Sequence, residues 1–272
     1  MMSSIEDRRD MRRPSGTPGA ALRGKILHAV VLLLAPACAA PAGHDAAAPE
    51  AERPAGVGSA APTTGSAQGF DLSHHQGEVA WREVSGQSFV FVKVSEGNDW
   101  EDPMFAVNWR EARAAGLVRG PYHMFRPEDE VIPQVEFFLS LLQAQGYGKD
   151  DLPPALDVER VSSVGHVPRH QIRDRALAWL QEVERRLHRR PLLYTNPKFW
   201  ASYLEQDHPL AGYPLWIAHY SSAAPPEMAG GWPGWTFWQH TEAGHLPGVA
   251  ESVDLNRFNG TREALLRFVE GH

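Results

Sequence analysis

The amino-acid sequence predicts an α/β chain whose globular part is a single closed or nearly closed barrel of eight strands. Three observations carry this. Strand-like and helix-like segments alternate from Gly69 onward, which implies a parallel sheet. After five such β-α units, three strand-like segments follow with little helix between them. Polar residues also gather at the predicted C-terminal ends of the strands, where barrels of this class keep their chemistry.

The leader comes first. None of the 9 Trp, 6 Tyr and 11 Phe precedes Phe70, and the opening stretch is rich in Ala, Pro, Gly and Ser. Arg23 and Lys25 precede an apolar run from Ile26 to Ala37, too short for a comfortable membrane span. A basic flank, a short apolar core and small residues after it make a secretory signal over 1–38. The single cysteine, Cys38, stands at the expected cleavage point. It resembles the lipidated cysteine of a bacterial lipobox, with Ala35 in place of the expected Leu. Ordinary signal-peptidase cleavage is the other reading. Residues 39–68 lack bulk to bury and read as a disordered Ala/Pro/Gly-rich tether. Either reading places the domain 69–272 outside the cytoplasm, anchored in the cell envelope or secreted.

Within the domain, Gly69–Ser73 reads as a strand and Val79–Val84 as a short helix. Phe89–Val94 is an apolar run typical of a strand buried on both faces. Pro103–Ala115 is a helix ended by Gly116, Gly120–Phe125 a strand, and Val131–Gln145 a helix with Gly146 at its end. Residues 153–159 form a short strand that two prolines can only begin. Pro168–Arg189 is a long helix with proline at its start. Pro191–Thr195 is a strand, and a short helix follows Asn196-Pro197. Leu215–Tyr220, Trp235–His240 and Val253–Asn256 are the last strands, and a helix from Thr261 to Val269 closes the chain.

Composition narrows the functions. The chain carries 26 Lys+Arg against 33 Asp+Glu, a net charge of −7, which argues against nucleic acid as a partner. With no cysteine beyond Cys38, the domain must fold without disulfides, and it is long enough to do so. No G-x-S-x-G elbow or Gly-rich phosphate loop occurs.

The segment Pro153-Pro154-Ala155-Leu156-Asp157-Val158-Glu159 is the candidate centre. Alternation in a strand puts Asp157 and Glu159 on one face, with Cα atoms roughly 6.5 Å apart. Like charges that close repel, so one should hold its proton to a higher pH than a free carboxyl. A protonated acid beside an ionised carboxylate is what glycosidic cleavage needs. The competing reading is two ordinary surface acids on a strand end. Asp71 and Asp254, also at predicted strand ends, extend the pair to a set of acids that can raise the donor's pKa and stabilise developing positive charge. Tyr122, Tyr194, Trp216, Tyr220, Trp235 and Trp238 offer faces for sugar rings, against plain core packing for at least half of them. His74, His75 and His123, with Asp71, are weighed as metal ligands. No H-x-H or H-x-x-x-H spacing joins them, so no metal or other cofactor is expected. A neutral histidine orienting a carboxylate or a sugar hydroxyl is the preferred reading.

The segments G-F-D-L-S-H-H-Q-G (69–77), F-V-K-V-S-E-G (91–97), G-L-V-R-G-P-Y-H-M-F (116–125), A-L-D-V-E (155–159), L-L-Y-T-N (192–196), L-W-I-A-H-Y (215–220), W-Q-H (238–240) and V-D-L-N-R-F (253–258) occur in this order. Together they resemble glycoside hydrolase family 25, the Chalaropsis-type lysozymes or 1,4-β-N-acetylmuramidases, over about 69–268. The resemblance implies a modified TIM-like barrel, (β/α)5β3. It implies cleavage of the bond between N-acetylmuramic acid and N-acetylglucosamine in peptidoglycan glycan strands, with retention. The chain is expected to act as a monomer. By position Glu159 becomes the general acid. Asp157 becomes its partner, either as nucleophile or as stabiliser of an intermediate formed by the substrate's N-acetyl group. Asp71 and Asp254 become the flanking acids. Tyr122, Tyr194 and Trp216 match sugar contacts, and His123, Tyr220 and Gln239 complete the expected substrate-binding set.

Overall fold

The computed structural model describes residues 65–159, 167–203, 208–220, 228 and 230–272. The expected signal segment, Cys38 and nearly all of the expected tether lie outside them. Among the described residues nine strands form one sheet: β1 Gln68–Leu72, β2 Phe89–Glu96, β3 Trp100–Glu101, β4 Val118–Met124, β5 Ala155–Asp157, β6 Leu192–Thr195, β7 Leu215–Ala218, β8 Phe237–Gly244 and β9 Val253–Phe258. Their order is β1-β9-β8-β7-β6-β5-β4-β2-β3, and β1 also pairs with β2. That last pairing closes eight strands into a barrel and leaves β3 as a short hairpin partner of β2.

The barrel is parallel from β1 through β2 and β4 round to β8. Strand β9 alone runs antiparallel to both of its neighbours. The α-helices among the described residues are α1 Phe105–Ala114, α2 Val131–Ala144, α3 Arg169–Leu187, α4 Pro197–Tyr203 and α5 Arg262–Gly271. The expected helix over Val79–Val84 is not formed. The chain after β1 makes only a 3-10 turn, His74–Gln76, capped by Ser73, and Val79 bridges to Val249 instead. Gly77, Gly86 and Ser85 crowd that segment with breakers, and six residues give too little helix to sustain itself.

Alternation along the strands builds two cores. Phe89, Phe91, Tyr122, Ala155, Leu192, Tyr194, Trp216 and Phe237 fill the barrel interior. Val90, Val92, Leu156, Leu193 and Ile217 face outward and pack with Trp109 of α1, Phe138 of α2 and Trp179 of α3. Burying a side chain of that size contributes about 1.5–3 kcal/mol. Two glycines make room inside. A Cβ on Gly69 would lie 2.5 Å from the Phe89 ring, and one on Gly120 would lie 2.5 Å from the Phe91 ring. Helix α5, capped by Thr261, places Leu265 and Val269 against this inner core. Phe268 meets Phe237 and Phe258, so α5 closes the end at which the parallel strands begin. The other end stays open.

Candidate active site

The open end holds a cavity of about 390 Å3. The register of the sheet explains what lines it. Met124, Asp157, Tyr194 and Trp216 are successive partners across β4, β5, β6 and β7, so they stand in one layer. Asp71 of β1 sits directly opposite Asp254 of β9. The antiparallel course of β9 matters here. Asp254 lies near the start of its strand, not at the C-terminal end that the sequence predicts, yet it reaches the same rim because β9 runs the other way.

All four predicted acids line the cavity, with Tyr122, Tyr194, Trp216 and Gln239. The acidic strand is shorter than expected. It ends at Asp157, so Glu159 enters the cavity from the following loop and not by strand alternation. Hydrogen bonds from Val158 N to Tyr194 O and from Thr195 Oγ1 to Val158 O hold that loop in place. Glu159 accepts from Asn196 Nδ2 at 3.4 Å, and its Oε2 also lies 3.4 Å from Tyr194 Oη. Asn196 also caps α4 through Phe199 N at 2.8 Å.

A chain of hydrogen bonds crosses the floor. Tyr194 Oη and Tyr220 Oη donate to Gln239 Oε1 at 2.9 and 3.2 Å. Gln239 Nε2 donates to Asp71 Oδ2 at 2.9 Å and to Asp254 Oδ2 at 3.2 Å. Asn256 Nδ2 donates to Asp71 Oδ2 at 2.7 Å, and Trp216 Nε1 donates to Asn256 Oδ1 at 2.8 Å. Trp216 in turn stacks on Phe91 with ring centroids 4.1 Å apart.

Crowded carboxylates out of water resist ionisation. Burial raises the Asp71 pKa well above the ordinary range, the charge of Asp254 adds to this, and the bonds from Gln239 and Asn256 oppose it. Asp157 is likewise raised, by burial and then by Glu159, while Lys93 opposes. Its Oδ1 is buried without a hydrogen-bond partner. Asp254 is pushed up to about 6, chiefly by burial.

Several expected residues are placed elsewhere. His123 is fully buried and faces away from the cavity. Its Nδ1 meets Ser95 Oγ at 2.9 Å, its Nε2 meets Gln134 Oε1 at 3.2 Å, and its ring stacks on Trp179. Burial lowers its pKa to about 4. It is an outer-layer histidine, not a sugar contact. Trp235 and Trp238 pack edge to face in the outer layer. Tyr220, 50% exposed, stands at the rim and bonds Gln239 Oε1. His74 and His75 do line the cavity, and His74 N and Nδ1 both bond Asp102 Oδ2 at 2.9 Å. Among the described residues no three His, Cys, Asp or Glu side chains are grouped to hold a metal.

Lys93, Glu96, Trp100 and Met124 also line the cavity, and Asn196 and Asn256 support its acids. Sequence reasoning assigned none of these a role. Lys93 carried a signal, because a lysine within an apolar strand buried on both faces needs a partner. Asn256, two residues beyond Asp254, shares its face by alternation.

An α/β barrel whose open end gathers carboxylates, an uncharged donor network and aromatic faces is the construction of a glycosidase. The profile of glycosyl hydrolases family 25 matches residues 70–249. Lysozyme M1 of Streptomyces globisporus is 32% identical over 94% of this chain and 96% of its own length. The N,O-diacetylmuramidase of Chalaropsis sp is 32% identical over 75% of this chain and 99% of its own length. The crystal structure of the bacterial lysozyme from Streptomyces coelicolor superposes with a TM-score of 0.69 at 32% identity, over 77% of this chain and 99% of that one. The chain belongs to glycosyl hydrolases family 25 and is a glycoside hydrolase.

Proposed function

We propose that the protein is a peptidoglycan hydrolase that cleaves the β-1,4 bond between N-acetylmuramic acid and N-acetylglucosamine with retention. The observation that carries this reading is the convergence of Asp71, Asp157, Glu159 and Asp254 on one cavity at the open end of the barrel. Relatives named lysozyme and muramidase support the choice of polymer.

Glu159 delivers a proton to the leaving oxygen. Tyr194 and Asn196, each 3.4 Å away, orient its carboxyl toward the cavity. Asp157, which lines the cavity beside Glu159, is the attacking or charge-stabilising carboxylate. It acts either on the anomeric carbon or on the N-acetyl group that attacks it. Asp71 and Asp254 set the field around the pair, fixed by Gln239 and Asn256. Tyr122, Tyr194 and Trp216 form the floor on which the sugars rest. Export through the leader, and a lipid on Cys38, would bring this site to the wall polymer.

The deciding experiment is mass analysis of products from purified peptidoglycan, with NMR of the first-formed anomer. Fragments ending in reducing N-acetylmuramic acid, released first as the β anomer, are expected. Reducing N-acetylglucosamine ends would move the cut to the other bond. Acetate released without chain cleavage, and abolished by chelator, would make the protein a deacetylase. Binding without products would make it a glycan-binding barrel.

A further inference from the structure

Strand β2 contains one residue more than its pairing with β4 requires. Lys93 faces Tyr122 and Ser95 faces His123, so Val94 is extra between consecutive partners. A bulge turns the residues beyond it to the opposite face, and bulges gather beside active sites. Phe89, Phe91 and Lys93 point inward by alternation, and a regular strand would next send Ser95 inward and Glu96 out. The reverse is found. Ser95 binds the outward His123, while Glu96 lines the cavity and pairs with Lys93 Nζ at 3.1 Å and Arg126 Nε at 3.2 Å.

Lys93 is only 5% exposed. Its Nζ lies 5.0 Å from the Trp100 ring centroid and 3.6 Å from Met124 Sδ. Taking an ammonium group out of water costs several kcal/mol unless its surroundings repay it. The register shows what else it serves. Glu96, Met124 and Asp157 are partners across β2, β4 and β5, so the lysine's anchor and Asp157 share a layer of the barrel. Asp157 buries an oxygen with no hydrogen-bond donor, so its charge has to be met through space.

We propose that Lys93, held by the Glu96 that the β2 bulge turns inward, is a positioning residue whose ammonium keeps Asp157 ionised during turnover. This rests on the role given to Asp157 above. The other charges around Asp157 work against its ionisation or lie farther off. Glu159 from its own loop, Asp71 from β1 and Glu96 from β2 all repel it, burial being the larger effect. Asp254 adds negative charge from β9. Tyr122 and Tyr194, from β4 and β6, are themselves pushed up by burial and supply no positive charge. His74 and His75 stand at the cavity wall, His74 tied to Asp102. Arg126 sits on the far side of Glu96, bonded also to Asp99.

The test compares wild type, Lys93→Met and Lys93→Arg in the full chain. Two quantities are measured: the pH dependence of kcat/KM on peptidoglycan, and the Asp157 titration by carboxyl 13C NMR. In Lys93→Met the acidic limb should move up by about one pH unit or more, with the Asp157 titration moving the same way. The loss should fall on kcat more than on KM, and Lys93→Arg should restore most of the limb. If Lys93→Met does not fold, Lys93→Gln takes its place, because its amide still bonds Glu96. An unmoved Asp157 titration would overturn the inference. So would a loss confined to KM with the limb in place, which would make Lys93 a substrate contact. A titration that moves while the rate limb stays put would uphold the action of Lys93 on Asp157 and remove Asp157 from the reaction.

Discussion

Asp71 and Asp254 face each other across two strands, and nothing cationic separates them. Such a pair serves the reaction at the expense of the fold. The Asp254 pKa is raised from 3.8 to about 6 in the folded chain. Between those values the folded state binds more protons than the unfolded one, so stability falls as pH rises through this window. Asp254→Asn should therefore stabilise the protein at pH 7 by on the order of 1–3 kcal/mol, and the gain should vanish below about pH 4. Thermal unfolding of both proteins at the two pH values measures this; an equal gain at both would refute it. For the reaction itself, Glu159→Gln should lower the rate about 100-fold or more, with substrate binding kept because the amide preserves the shape. Asp157→Asn should be at least as damaging, and the double variant little worse than either, since both serve one step. Turnover of Glu159→Gln close to wild type would require another proton donor.

Strands β1 and β4 each give up a side chain so that β2 can fill the barrel with Phe89 and Phe91. Those rings support the floor, because Phe91 stacks under Trp216, and Trp216 holds Asn256 against Asp71. Gly120→Ala should thus cost about 1–3 kcal/mol by overpacking, read as a lower denaturant midpoint. Adding Phe91→Leu should recover part of that stability, since the two sites share one space. Activity should not return with it, because the support under Trp216 is then missing. Full recovery of both would mean that the ring is only filler.

Closure of the barrel depends on its first residues. Ala67 is buried, its N–H donates to Gly260 O at 2.8 Å, and its carbonyl accepts from Phe258 N at 2.9 Å. A chain starting at Gly65 should keep wild-type activity on soluble wall fragments, because the composition before that point offers little to bury. A chain starting at Phe70 loses both bonds and the first pairs of β1, and should melt at a lower temperature. Circular dichroism melts of the two truncations, with product assays, check this. Loss of activity on starting at Gly65 would show that the leader takes part in the fold.

Residue order alone determined the eight barrel strands, four of the five expected β-α units and the gathering of Asp71, Asp157, Glu159 and Asp254 at one end. Local patterning carries that much, because apolar periodicity, prolines and glycines act within a few residues. It also held a conflict that alternation resolves: Tyr122 and His123 are neighbours in one strand and cannot both face inward. The tertiary structure decided the rest. The antiparallel course of β9 sets Asp254 opposite Asp71. The end of β5 at Asp157 makes Glu159 a loop residue, and the bulge at Val94 turns Glu96 toward Lys93. Each depends on how a strand pairs with chain far away in sequence, and pairing of that kind leaves no periodic trace in the strand itself.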